Sequence, residues 1–175
     1  MEDKQLEKRS VRHLVILSLL VSMCAIFGYL LSIENQLIKI SFVFIPKAMI
    51  GTLYSPLLSS IGVGLADFLG MILFGKAPYF IGFSINSCIS GAIYGAILTK
   101  ECSLKNIVFA TVLNSVLISL LLTPLWLAFL YNVPLYSYAL WSARLIKCFF
   151  DIPIQIFLLN LVLQSPTIRK MIEKR

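Results

Sequence analysis

The sequence predicts an all-α integral membrane protein with six transmembrane helices and both termini in the cytoplasm. The first observation behind this prediction is composition, because 59% of the 175 residues are apolar, only 13% are charged, and the apolar residues fall in long blocks. A membrane-spanning helix needs about 20 predominantly apolar residues. Six stretches are candidates, at about 11–33, 41–54, 56–75, 79–98, 105–131 and 139–164. We expect a single membrane domain over residues 1–175, in a multi-pass protein of the cell membrane.

The second observation is the distribution of positive charge. Lysines and arginines cluster at the N-terminus, around residue 102 and at the C-terminus. The other connections carry few, with Lys39 in one, Lys76 in another and none in YNVPLYSY, residues 131–138. Because positively charged loops stay on the cytoplasmic side, this pattern places both termini there. The net charge of +7 therefore indicates topology, and its partner is expected to be the lipid bilayer and not a nucleic acid.

The six stretches differ in how well they fit a full span. The first follows a basic segment, but its apolar core is too long for a cleaved signal peptide, so we expect it to remain as a helix. The second is short, and Gly51 and Pro56 bracket its end, which predicts a tilted or partial span with an uncertain boundary to the third. The first, fourth, fifth and sixth have the length of complete spans.

Catalytic and metal-binding patterns are missing from the sequence. The four cysteines are scattered without a C-x-x-C pair, and His13 is the only histidine. Residues 70–77, GMILFGKA, match a phosphate-binding loop only until Ala77 stands where Ser or Thr should hold magnesium, and the segment leaves a membrane helix on the predicted external side. We therefore expect neither an enzyme nor a metal or cofactor site.

Three charged residues interrupt the sixth stretch. At about 100° per residue, Arg144, Lys147 and Asp151 fall within an arc of about 60° and share one face of a helix. Charged side chains in a span face the interior or a wet cavity, because lipid does not solvate them. Lys147 and Asp151 are spaced for an ion pair, which leaves Arg144 for an anionic ligand. In the alternative, Arg144 reaches the external headgroups and the other two only fix helix packing.

Aromatic and polar side chains are predicted near the depth of Arg144. Trp126 and Trp141 flank the external connection, and the fourth stretch begins with Phe83, Ser84 and Asn86 in GFSINS. Aromatic walls, a few hydrogen-bonding groups and a cation are typical of a pocket for a flat, polar, acidic molecule. An aromatic belt at the membrane interface explains several of these residues without a ligand.

Pairs of small residues predict close approach of helices. Ser18 and Ser22 form such a pair on the first helix, and Gly91 and Gly95 form another on the fourth. Each pair is compatible with packing inside the chain or against another subunit. We favour internal packing for the glycines and contact with another subunit for the serines.

Three stretches give the chain a family resemblance. They are ISFVFIPKAMIGTLYSPLLSSIGVGLADFLG at 40–70, YFIGFSINSCISGAIYG at 79–95 and ARLIKCFFDIP at 143–153. Together they resemble the folate-type substrate-binding S component of energy-coupling factor (ECF) transporters, over nearly the whole chain. The resemblance implies a six-helix membrane protein that binds a vitamin, folate first among the candidates, near its external face. It also implies a transmembrane coupling subunit and two ATPase subunits as partners.

The resemblance assigns roles to the candidate residues. Arg144, with Lys147 as a second candidate, would engage a ligand carboxylate. Phe83 with Trp126 or Trp141 would flank the ring system. Asn86 and Ser84 would read the hydrogen-bonding edge of the ring.

The resemblance also identifies a docking surface and two departures from the folate pattern. Ser18 and Ser22 match the A-x-x-x-A positions that face the coupling subunit. The pattern has a basic residue near Tyr29 and an apolar one at Lys47, so the positive charge is displaced here. Asp67 is expected to pair with Lys47 or, as the alternative, to hydrogen-bond a pterin.

Other functions remain open at this point. The displaced charge is compatible with an S component for riboflavin, thiamine, pantothenate or a modified nucleobase. A self-contained secondary transporter is a candidate from another class, although related halves with interrupted helices are not found. A membrane enzyme would need cytoplasmic carboxylates or histidines, and the chain offers almost none.

Overall fold

The computed structural model of the chain describes residues 2–34, 39–74, 80–131 and 138–173. The α-helices are α1 (Glu2–Ala25), α2 (Phe44–Leu53), α3 (Pro56–Phe74), α4 (Ile81–Leu98), α5 (Leu104–Asn114), α6 (Thr123–Tyr131), α7 (Tyr138–Leu163) and α8 (Pro166–Glu173). A first π-helical segment, Ile26–Leu30, continues α1, and a second, Ser115–Leu122, joins α5 to α6. Two short strands, β1 (Ile33–Glu34) and β2 (Lys39–Ile40), pair antiparallel.

Some predicted features lie outside the described residues. These are residues 75 and 79, which are the predicted ends of the third and fourth spans, together with Lys76, Ala77 and residues 132–137. The described part contains five helical stretches that are long and apolar enough to cross a membrane: Val11–Leu30, Pro56–Phe74, Ile81–Leu98, Leu104–Leu130 and Arg144–Leu163. The shorter apolar helix α2 is the sixth member of the bundle. The prediction of an all-α membrane protein is therefore confirmed.

Helix α2 is too short to cross a bilayer alone. Its 10 residues rise about 15 Å, half of a typical hydrocarbon core. Just after it, the Tyr54 hydroxyl donates a hydrogen bond of 2.6 Å to the carbonyl of His13 on α1. Just before it, Val43 lies against Gly28, where an added Cβ would be 3.5 Å from Val43 Cγ2. Helix α2 therefore packs along α1 between about His13 and Gly28. The chain that precedes α2, near Gly28, is not helical.

Two ends of the bundle can now be distinguished. The inner end holds Tyr54 and Thr99, whose hydroxyl donates to the carbonyl of Tyr54 at 2.9 Å. The outer end, which is the predicted external side, holds Leu30, Phe74 and Ile81. The candidate binding residues lie toward this outer end.

Helices α3 and α4 pack closely through glycines. A Cβ on Gly95 would lie 2.7 Å from the Cα of Pro56, and one on Gly91 would collide with the carbonyl of Ser59. Gly64 leaves similar room for Cys88. This antiparallel contact places the Gly91 and Gly95 pair inside the chain, and its register brings Asp67 of α3 opposite Ser84 of α4.

Candidate ligand-binding site

Asp67 joins three helices at the outer part of the bundle. Its Oδ1 accepts a hydrogen bond of 2.9 Å from the Tyr29 hydroxyl, and its Oδ2 accepts one of 3.1 Å from Ser84 Oγ. Tyr29 lies in the first π-helical segment, and its ring rests on α3 where a Cβ at Gly70 would collide with it. A carboxylate in a span is thus held by two neutral hydroxyl groups.

Lys47, on α2, reaches α4 next to this group. Its Nζ donates to Ser87 Oγ at 3.3 Å, and Ser87 follows Ser84 by one helical turn. The sequence predicts Lys47 as the partner of Asp67, with a pterin as the alternative. The structure instead gives the Asp67 oxygens to Tyr29 and Ser84, because the α3–α4 register and the π-helical turn bring those two hydroxyls to the carboxylate.

Asn86 faces the other side of α4. It is buried, its Oδ1 accepts a hydrogen bond of 3.0 Å from Trp126 Nε1, and its Nδ2 donates to Thr123 Oγ1 at 3.4 Å. Two residues correspond to about 200° around a helix, so Ser84 and Asn86 project from opposite faces. The prediction that both side chains read one edge of the ligand is not supported, because Ser84 faces α3 and Asn86 faces α6.

Aromatic rings cover the outer end on the α6 side. Phe80, just before α4, lies with its ring centroid 5.7 Å from that of Phe83 and 5.6 Å from that of Trp126. Phe129 is a third neighbour at 6.1 Å. Trp141, in the first turn of α7, is 38% exposed. Phe83 and Trp126 therefore share one aromatic group, which the sequence predicted as the wall of a pocket.

Arg144 is buried on α7, with 7% of its surface exposed. Its Nη1 donates to the carbonyl of Ser119 at 3.2 Å, in the second π-helical segment. One and two turns deeper, Lys147 Nζ and Asp151 Oδ2 form an ion pair of 3.5 Å, as their spacing predicts. Since Arg144 is buried against protein, it does not reach for the external headgroups.

Helices α4 and α7 carry the two chemically different parts of the site. Helix α4 packs on α2, α3, α5, α6 and the second π-helical segment, while α7 packs on α2, α5, α8 and the same π-helical segment. The Asp67 group and the Arg144 guanidinium therefore lie on different helices, one offering hydrogen-bond acceptors and the other a cation. Within the described ranges, no three His, Cys, Asp or Glu side chains come together in a way that could hold a metal ion.

Several contributors to the site are not predictable from the sequence. Tyr29 stands out only as a departure from the folate pattern, and no pattern points to Thr123 or to the Ser119 carbonyl. A tyrosine and a threonine inside apolar runs are compatible with many environments, so their partners depend on the tertiary register. A backbone carbonyl that accepts from Arg144 carries no signal in the sequence at all.

Ser18 and Ser22 lie on the outside of the bundle. Both are exposed, and their hydroxyls donate to the carbonyls of Val15 and Ser18, each at 2.9 Å. Exposed apolar residues surround them, including Leu14, Val15 and Leu19. This face of α1 therefore exposes two small side chains whose hydroxyls already donate hydrogen bonds within their own helix.

Comparison with known proteins gives a consistent result. No protein-family model matches the chain. The chain is 33% identical over 123 residues to "Folate transporter FolT" of Clostridium novyi (strain NT), covering 70% of this chain and 72% of the relative. It is 26% identical over 174 residues to "Folate transporter FolT" of Leuconostoc mesenteroides subsp. mesenteroides, covering 94% and 93%. Among solved structures, "Crystal structure of FolT bound with folic acid" matches with a TM-score of 0.82 and 39% identity, covering 85% of this chain and 90% of that one.

Proposed function

Because the chain belongs to the FolT family of folate-type ECF S components, we propose that it captures folate at the outer end of its bundle and serves as the substrate-binding subunit of an importer. The family is one of transporters and not of enzymes. The observation that carries the proposal is the likeness, over most of both chains, to a FolT structure that holds folic acid. Capture of an external vitamin agrees with a place in the plasma membrane.

Arg144 is the proposed partner of the acidic tail of folate. The tail is a glutamate with two carboxylates, and a guanidinium binds a carboxylate through two parallel hydrogen bonds. Burial strengthens such a contact, because water competes less for the two charges. Lys147 lies one turn deeper and is paired with Asp151, so it is only the second candidate for the ligand carboxylate.

The aromatic group of Phe83 and Trp126 is the proposed cover for the flat ring system. Aromatic side chains supply large apolar faces, and ring pairs prefer offset or edge-to-face arrangements. Asn86 contributes by fixing Trp126, since its Oδ1 accepts from the indole N–H. Trp141, at the start of α7, is the second candidate for this cover.

A titration tests the proposal. The two tryptophans report on the outer end, so folate is added to the detergent-purified chain while their fluorescence is followed. Arg144→Gln should weaken folate binding about tenfold to a hundredfold, the range expected for a lost hydrogen bond to a charged group. Folate dimethyl ester, which lacks both charges, should bind the wild type and the variant alike.

The matched control is Lys105→Gln, a cation removed at the inner end, which should leave folate affinity unchanged. Absence of folate binding to the wild type would refute the proposed function. An equal loss for folate and its ester would remove Arg144 from the carboxylate site.

Ser18 and Ser22 are the proposed contact with a transmembrane coupling subunit that works with two ATPase subunits. Small, exposed groups let another helix approach closely. Ser22→Trp should prevent copurification of the coupling subunit while folate affinity is retained. Leu161→Trp, at an exposed apolar position of α7, is the control and should retain both properties. Unimpaired copurification of Ser22→Trp would refute this assignment.

A further inference from the structure

The second π-helical segment, Ser115–Leu122, ends beside a proline. At this end the Thr123 N–H donates to the carbonyl of Ile118, five residues earlier, which is the spacing of a π-helix. In the same register, the N–H of residue 124 would reach the carbonyl of Ser119. That residue is Pro124, which has no N–H to donate. The Ser119 carbonyl is therefore left without its π-helical donor.

Pro124 also accounts for the wide turn. In an α-helix, its ring would clash with the carbonyl four residues earlier, which is that of Leu120. A π-helical turn relieves such a clash, because the backbone pairs one residue further back. Pro124 is fully buried, and the Thr123 hydroxyl holds the turn by donating to the Ile118 carbonyl at 2.6 Å. Thr123 and Pro124 together thus fix the π-helical register.

The Ser119 carbonyl, which Pro124 leaves without a backbone donor, is the one that Arg144 contacts. Arg144 Nη1, on α7, donates to it at 3.2 Å. Within a span, a carbonyl without a donor costs free energy, so this hydrogen bond stabilises both groups. It also holds one N–H of the planar guanidinium and so fixes the direction of that plane. The orientation of Arg144 therefore depends on a proline in another helical segment.

We propose that Pro124 is a positioning residue for the ligand carboxylate, because it reserves the Ser119 carbonyl for Arg144 and so orients the guanidinium for a bidentate contact. This inference rests on the proposed function and deepens it, since it says what orients the cation that meets the acidic tail of folate. A guanidinium that is already oriented loses less conformational freedom when the ligand binds. Preference for a charged tail thus depends on Pro124 as well as on Arg144.

Pro124→Ala tests the proposal. Alanine supplies the missing N–H, which reaches the Ser119 carbonyl in the π-helical register. In an α-helical register, the Thr123 N–H reaches the same carbonyl, so a backbone donor competes with Arg144 in both cases. We define the charge preference as the affinity for folate divided by the affinity for folate dimethyl ester. It should fall about fivefold, the size of one net hydrogen bond. An unchanged or higher charge preference would overturn the inference.

A matched control separates positioning from a general effect of proline removal. Pro153 also lies inside a helix, but it is exposed and projects from α7 about 180° away from Arg144. Pro153→Ala should therefore keep the wild-type charge preference, and a fall equal to that of Pro124→Ala would contradict the proposal. A purely structural role of Pro124 would weaken the binding of folate and of its ester alike and leave the charge preference unaltered.

Thr123 gives a second test, which does not depend on the folding of Pro124→Ala. Thr123→Val keeps the shape of the side chain and removes the hydroxyl that holds the Ile118 carbonyl. The end of the π-helical segment is then held less firmly, so the charge preference should fall severalfold. Thr123→Ser retains a hydroxyl and should restore the preference. A wild-type charge preference in Thr123→Val would refute the role of this turn in orienting Arg144.

Failure of the inference and failure of the proposed function give different results. A wild type that does not bind folate would refute the proposed function itself. A wild type that binds folate without any charge preference would overturn the inference together with the role of Arg144. A charge preference that is lost in Arg144→Gln and kept in Pro124→Ala would overturn the inference alone.

Discussion

The regions around Asp67 and Asp151 hold the two carboxylates that the sequence places deep within spans, and they are stabilised in different ways. Asp151 pairs with Lys147, one turn away on its own helix. Asp67 accepts from Ser84 and Tyr29, which are 17 and 38 residues away in the chain. The first region neutralises its charge locally, whereas the second is assembled by tertiary contacts with neutral hydroxyl groups. Spacing along one helix is therefore enough to build the first site, whereas the second depends on the register of three helical segments.

The largest expected effect comes from breaking the ion pair between Lys147 and Asp151. Lys147→Leu leaves Asp151 in the span without its cation and should destabilise the protein by about 2 kcal/mol, less than a fully buried pair because both side chains are partly accessible. Replacing both residues, Lys147→Leu with Asp151→Leu, should recover most of that loss. Thermal unfolding of the purified variants measures both. A double variant as unstable as the single one would show that the pair does not neutralise Asp151.

A smaller effect is expected when the tyrosine hydrogen bond to Asp67 is removed, and a similar tyrosine hydrogen bond at the inner end serves as its comparison. Tyr29→Phe removes the donor to Asp67 Oδ1 and should weaken folate binding about fivefold, the size of one net hydrogen bond. Tyr54→Phe removes the bond to the His13 carbonyl and should cost about 1 kcal/mol of stability. Folate affinity of Tyr54→Phe should equal that of the wild type. Equal loss of affinity in both variants would mean that the Tyr29 bond acts only through stability.

The smallest expected effect is at Asn86, which the structure places on the far side of α4 from Asp67. Asn86→Ala leaves Trp126 Nε1 without its acceptor, so the tryptophan emission should shift. Folate affinity should fall by less than about threefold, because the Trp126 indole keeps its ring contact with Phe80. A much larger loss of affinity would show that Asn86 contacts folate itself and does not act only through Trp126.

The same two regions show how far sequence reasoning reaches. The Lys147 and Asp151 pair was predictable because i and i+4 positions of a helix are always neighbours. The partners of Asp67 were not, since they depend on the glycine-based register of α3 and α4 and on a π-helical turn at the end of α1. Ser84 and Asn86 were grouped on one edge, although their separation of two residues already places them on opposite faces of a helix.

The fold itself was largely predictable from hydrophobic length. Five spans follow from long apolar runs, and the shortness of α2 was anticipated from Gly51 and Pro56. The position of α2 along α1 was not predictable, because it depends on the contacts of Tyr54 with His13 and of Val43 with Gly28. Helix α8 was also missed, since the charges in TIRKMIE conceal that Ile168 is buried against the bundle.

The most direct test of the central claim is a structure of this protein with folate bound. We predict that a carboxylate of the folate tail lies within hydrogen-bonding distance of the Arg144 guanidinium and that the ring lies against Phe83 and Trp126. Folate bound without contact to Arg144, which would still donate to the Ser119 carbonyl, would contradict the account.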